Sequence, residues 1–179
     1  MFSADPLGVE PREVPGAATR RARSEDGPAY ARDIGTDTAS TFRARLSDAT
    51  GCYVVEMDGR LIHVSWVSTS KAWTRELRAY IRPPTGHCYI YESFTAPGAR
   101  GKGIYPFALA SICRDAVQRG WTRVWVAVED NNPASLKSVR KAGFEPAFTI
   151  GVARHLGRLE VKLPEELPDP APSIDTQRA

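Results

Sequence analysis

The chain has 179 residues, 42% of them hydrophobic and 25% charged, with a net charge of +3. That length allows one domain with a proper core plus tails. The charge is mild and no run alternates Lys/Arg with stacking aromatics, which excludes a nucleic-acid-binding surface as the organising feature.

Cys52, Cys88 and Cys113 are scattered in apolar segments and form no C-x-x-C, so they read as small core residues in a reducing compartment. His63, His87 and His155 show no metal-ligand spacing, and no metal is expected. No apolar run nears the ~20 residues that span a bilayer, so no membrane partner is expected. The opening stretch MFSADPLGVEPREVPG is broken by Pro, Gly and acids and has no signal-peptide core. A cytoplasmic location is expected.

Residues 1–28 mix Pro, Gly, Arg and Glu without periodicity and are expected to be a disordered tail. Ala29 to Leu46 is weakly helical, with Phe42 and Leu46 four apart and Ser40 or Thr41 as the cap. Gly51–Met57 and Leu61–Ser68 flank Asp58-Gly59, the dipeptide of a type I′ turn, and predict an antiparallel hairpin. Thr69–Thr85 fits a short helix or a strand around Trp73, Leu77, Tyr80 and Ile81. His87–Thr95 reads as a strand covered on both faces.

A turn of small residues then leads into an amphipathic helix of Ile104, Phe107, Ala108, Ile112 and Ala116, ending near Gly120. Thr122–Val128 is another buried strand, parallel to the one before the helix by the crossover rule. Asn132 caps a helix with Pro133 at its first position, and Gly143 ends it. Phe144–Ile150 and Arg158–Leu163 predict a final strand pair joined through His155-Leu156-Gly157. The stretch 164–179, rich in Pro and acids, is expected to be disordered. The order describes a mixed, mostly antiparallel α/β sheet with packed helices, a single domain over residues 29–163.

The chemistry gathers at Arg100-Gly101-Lys102-Gly103. Glycines at a helix start let the backbone approach an anion, and the unpaired N–H groups there point at it. A Walker A loop would need Ser or Thr after Gly-Lys, where Gly103 stands. A dinucleotide fingerprint would need Gly at Pro106. Both patterns fail, and an anionic cofactor of another kind remains.

Thr95-Ala96-Pro97-Gly98-Ala99-Arg100-Gly101-Lys102-Gly103-Ile104 resembles motif A, R/Q-x-x-G-x-G/A, of the GCN5-related N-acetyltransferases (GNAT). Asn132-Pro133-Ala134-Ser135 with Lys141-Ala142-Gly143-Phe144 is similar to the family's N-x-x-S…K-x-G-F element. The resemblance implies the GNAT acyl-CoA N-acyltransferase fold, with acetyl-CoA or another acyl-CoA wedged between two strands that splay apart. It implies that the backbone of Arg100, Gly101, Lys102, Gly103 and Ile104 holds the pyrophosphate. Thr95 matches the strand residue that bonds the pantetheine arm and the thioester carbonyl, and Asn132 and Ser135 match further cofactor contacts.

Two positions depart from the pattern. Tyr105 stands where the motif ends in Gly or Ala, either lining the channel or packing away from it. Val139 stands where the family often carries a tyrosine general acid. Either solvent protonates the leaving thiolate, another residue substitutes, or the chemistry is lost. For the amine's proton the first candidate is Glu92, a carboxylate in the apolar run YIYESF where burial would raise its pKa; a salt-bridged or ammonium-binding acid is the other reading. Tyr91 and Tyr89 occupy positions where relatives carry bases, and they fit orientation of substrate or water better. His87 reads as solvent-exposed, and Glu129 and Asp130 as loop acids.

The resulting expectation is an acetyltransferase acting on a primary amine of a small molecule, an amino sugar or metabolite amine, by direct transfer in a ternary complex. A protein N-acetyltransferase and a non-catalytic acyl-CoA-binding module are the alternatives. The resemblance also allows a homodimer.

Overall fold

A computed structural model of the chain describes residues 1–155 and 158–176. The Asp58-Gly59 turn forms as the sequence predicts, both residues taking positive φ (51° and 71°), and joins β3 (Thr50–Met57) to β4 (Arg60–Ser68). On one side β3 pairs with β2 (Ala17–Arg21). On the other, β4 pairs with β7 (His87–Thr95), which runs parallel to β8 (Arg123–Val126). The far edge is β1 (Phe2–Ala4) and β9 (Glu145–Pro146), giving a seven-stranded sheet of order β2-β3-β4-β7-β8-β1-β9. Every pairing in it is antiparallel except β7 with β8.

Two helices, α1 (Gly27–Asp33) and α2 (Ala39–Arg45), seat Tyr30, Ile34 and Phe42 on Cys52, Val54, Leu61, Val64 and Trp66. Thr38 caps α2, ahead of the expected Ser40 or Thr41 by two or three residues. The long α3 (Ile104–Gln118) places Leu109, Ile112, Cys113 and Ala116 against Cys88, Ile90, Val124 and Val126. Pro106 falls in its first turn, where a missing N–H breaks no helical bond. The fourth helix, α4 (Pro133–Lys141), brings Val139 to the same core, and Asn132 Oδ1 accepts from the Ser135 N–H as its cap.

The segment 69–85 is strand, not helix. There β5 (Ala72–Thr74) and β6 (Ala79–Arg82) form a three-stranded sheet with β12 (Ser173–Thr176), whose core packs on Tyr89 and Trp125. The final strand pair is shifted. Here β10 (Gly151–His155) pairs with β11 (Arg158–Lys162), while Glu145–Pro146 joins β1 instead. In the expected connection, Leu156 and Gly157 lie outside the described residues.

Among the described residues, both segments expected to be disordered contain paired strands. Met1, Phe2 and Ala4 are buried, and Phe2 pairs with Val126 on one side and Pro146 on the other. A strand of three residues buries little by itself, but inserted between two others it pairs along both edges. Near the C-terminus Ile174 sits opposite Ile81 in the small sheet. Average composition hides such short apolar pieces inside polar segments.

Candidate active site

The two parallel strands stay together only from His87↔Arg123 to Ile90↔Val126. Past Val126 β8 ends, while β7 continues on β4 as far as Thr95↔His63. At the parting point β7 carries a bulge: Tyr91 pairs with Trp66 and Phe94 with Val64, so Ser65 alone faces Glu92 and Ser93. Glu92 takes φ +46°, the left-handed conformation that suits one bulged residue and bends the strand. Beyond Ile90 the β7 edge that faced β8 has no strand partner among the described residues. The strands open over a cleft of about 1800 Å³.

One end of this cleft is the start of α3. Gly101 and Gly103 have φ +76° and +77°, which L side chains rarely adopt. A Cβ on Gly101 would meet no atom within 4 Å, and on Gly103 only Val14 Cγ2 at 4.0 Å, so the space before the turn is open. Arg100 N–H bonds Pro97 O and Phe107 N–H bonds Gly103 O. Among the described residues, the N–H groups between them find no backbone acceptor, and they head a 15-residue helix. This donor set fits a pyrophosphate.

Arg100, Gly101, Gly103, Ile104 and Tyr105 all line the cleft, as do Thr95, Asn132 and Ser135. Lys102 is exposed and lies outside the lining. Arg100 folds back, its Nε donating to Thr95 O at 3.1 Å, and straps the turn to the end of β7.

At the other end the sequence expectation for Glu92 needs correction. The bulge turns it outward instead of burying it: its side chain is half exposed and Oε2 sits 2.5 Å from Arg45 Nη2. Arg45 is held in turn by Asp37 at 2.5 Å and lies 3.9 Å over the Trp66 ring. Tyr89 is fully buried, its hydroxyl 3.4 Å from Thr74 Oγ1, and burial pushes its phenol above the ordinary range. Tyr91 stacks on it at 6.1 Å and is also raised by burial, with Arg45 opposing. Neither phenol is a base near neutral pH. His87 is buried rather than exposed: Trp125 Nε1 donates to its Nδ1 at 3.0 Å, and burial lowers its pKa, helped by Arg123. Glu129 and Asp130 are exposed after β8, and with Glu76 they line the cleft.

A polar chain beneath β7 is the part that sequence reasoning missed. His63 Nδ1 lies 2.7 Å from Thr95 Oγ1 and its Nε2 2.9 Å from Ser65 Oγ, which lies 2.7 Å from Ser93 Oγ. The Tyr105 phenol is beside Ser93, its ring 5.4 Å from the imidazole. His63 is only 1% exposed, and burial drives its pKa down to about 3, so the ring is neutral. The available signal was polar residues two apart, His63 and Ser65 facing Ser93 and Thr95, on one face of otherwise apolar strands. Val139 is buried among apolar neighbours and offers no proton.

The acetyltransferase (GNAT) family model matches residues 18–144. The chain belongs to the GNAT acetyltransferase family. As a GNAT protein it is an acyltransferase of a family that uses acyl-CoA. Its solved structural neighbours include an aminoglycoside acetyltransferase from an uncultured soil metagenomic sample in complex with sisomicin, at TM-score 0.58 and 12% identity over 81% of this chain and 97% of that one. A ribosomal-protein-alanine N-acetyltransferase from Brucella melitensis matches at 0.57 and 13%, covering 78% and 99%. An aminoglycoside N-acetyltransferase in complex with CoA matches at 0.58 and 16%, covering 77% and 98%. A sequence comparison with curated proteins gave no match. At such identities the neighbours show the fold alone. No helix among the described residues is long and apolar enough to cross a membrane.

Proposed function

We propose that this GNAT protein transfers an acetyl group from acetyl-CoA to the primary amine of a small molecule, by direct attack within a ternary complex. The observation that carries this reading is the parting of β7 from β8 over a cleft that the glycine turn of α3 also lines. Acetyl-CoA, when bound, supplies the acyl group as an activated thioester. The N–H groups of residues 101–104 hold its pyrophosphate. The open β7 edge, through Thr95 and its neighbours, takes the amide-bearing arm as a sheet edge takes a strand. Asn132 and Ser135 border the same channel.

Trp73–Leu77, Phe148–Val152 and Leu159 also line the cleft and bring apolar surface to it. Glu76, Glu92, Glu129 and Asp130 line the cleft, Glu92 paired with Arg45 and Glu76 near Arg75, and carboxylates of this kind attract an ammonium. Glu92 holds the ammonium at the bulge and, directly or through one water, takes the proton it must lose before attack. The free cysteines are all buried and take no covalent part.

The test is to incubate the protein with acetyl-CoA and a panel of primary amines, an aminoglycoside, a polyamine and an N-terminal alanyl peptide among them, and to follow free thiol. Release with a small amine supports the reading; release only with the peptide replaces it by protein acetylation. Tight acetyl-CoA binding with no release from any amine would sink it.

A further inference from the structure

The chain under β7 joins five polar side chains, of which His63 and Ser65 are buried and must be satisfied or be destabilising. Four of them, His63, Ser93, Thr95 and Tyr105, also line the cleft. Both nitrogens of the neutral imidazole are engaged, Nδ1 by Thr95 and Nε2 by Ser65. In the tautomer where Nε2–H donates to Ser65 Oγ, the Ser65 hydroxyl must donate to Ser93. Ser93 is then left to donate to the Tyr105 oxygen. That arrangement occupies a lone pair of the phenol and leaves its own proton for the cleft.

Acyl transfer from a thioester needs such a proton, because the departing sulfur leaves with the C–S electron pair. Val139 cannot give one. We propose that Tyr105 is the proton donor to the leaving sulfur, and that Ser93, Ser65, His63 and Thr95 are positioning residues that orient its proton. This rests on the acyl-transfer reading above. As the amine nitrogen bonds to the carbonyl carbon and the C–S bond breaks, Tyr105 Oη gives its proton to sulfur. The phenolate, held by the Ser93 O–H, regains a proton from the one the amine nitrogen sheds as the amide forms. From the neutral amine one proton leaves nitrogen and one reaches sulfur; the proton that Glu92 took from the ammonium passes to solvent, and the protein returns to its starting state. Burial raises the phenol's pKa and opposes a buried thiolate in the same way, so transfer between them is not penalised by desolvation of one partner alone.

The test needs no knowledge of the acceptor. The protein is loaded with CoA, and the alkylation rate of the CoA thiol by iodoacetamide is followed against pH; the protein's own cysteines at 52, 88 and 113 are buried and compete little. A donating phenol stabilises the thiolate, so Tyr105→Phe should raise the midpoint by about one unit, and Ser93→Ala should raise it by less. With an amine that is turned over, Tyr105→Phe should lower kcat on the order of 100-fold while the acetyl-CoA Kd stays within twofold. Circular dichroism and the melting temperature establish that each variant is folded, and Ser93→Ala carries the test should Tyr105→Phe not fold. Unchanged midpoints, or a Tyr105→Phe protein with parental kcat, overturn the proposal and leave acyl transfer standing. A parent that releases no thiol with any amine overturns the acyl-transfer reading instead.

Discussion

Arg45 Nη2 lies 2.5 Å from Glu92 Oε2 and ties the end of α2 to the bulge of β7. The contact fixes a residue with left-handed backbone at the point where the sheet opens, and Trp66 and Asp37 hold the same guanidinium. The partly exposed pair itself is worth less than ~1 kcal/mol after solvent screening. Loss of the ring contact and of the Asp37 pair adds to that. Arg45→Met should therefore cost about 2 kcal/mol by chemical denaturation. Glu92→Gln should leave stability within about 1 kcal/mol but raise the amine KM roughly tenfold, with the acetyl-CoA KM unchanged. A Glu92→Gln enzyme with the parent's amine KM removes the ammonium-binding role.

Gly103 heads α3 in a conformation that a side chain resists. Gly103→Ala should lower stability by about 1 kcal/mol and turn the N–H groups away from the pyrophosphate. Calorimetry should show acetyl-CoA binding weakened at least tenfold. Equal affinity would remove the turn from the cofactor site.

His63 gives the fold a dependence on pH whose sign is fixed by its burial. Its native pKa near 3 lies below the unfolded value of about 6.5, so below pH 6.5 the unfolded chain takes a proton that the native ring refuses. Stability falls by about 1.4 kcal/mol per pH unit from this residue, roughly 2 kcal/mol between pH 6.5 and 5. His87, lowered in the same direction, adds to the slope. Asp33 acts in a separate window. Its carboxyl is held down to about 2, chiefly by Arg32 with Leu61 N–H and Arg60 assisting, so its contribution is present above pH ~4 and lost below it. Urea unfolding of His63→Asn at pH 7 and pH 5 should give a shallower difference than the parent. An equal slope in both would show that His63 is not the group responsible.

The local parts of this fold were legible. The Asp58-Gly59 turn, the α3 glycines and the Asn132 cap depend on residues a few positions apart, and each formed where the sequence put it. What was not legible depends on register between distant strands. YIYESF reads as a buried run with an acid inside, yet one extra residue at the bulge turns Glu92 outward. His87 reads as exposed because nothing nearby in sequence shows that Trp125, on the parallel strand, will cover it.

Phe2 gives the sharpest test of that long-range order. Its ring is buried against the α3 face between β8 and β9. Phe2→Ala should cost about 3 kcal/mol, toward the low end for a core aromatic because the strand is only three residues long. A loss under 1 kcal/mol would mean that β1 is peripheral to the core.

The same strand makes synthesis and folding run out of step. Ser3 leaves the ribosome well before Arg123, whose guanidinium it meets and which lies 120 positions later. At 5–20 residues per second the first strand waits roughly 6–24 s for its neighbours. Through that interval a short apolar segment stays without its sheet, and non-local pairing of this kind slows folding. Met1–Ala4 thus stays unpaired until late, and the cleft that Met1 and Phe2 help to wall is made no earlier.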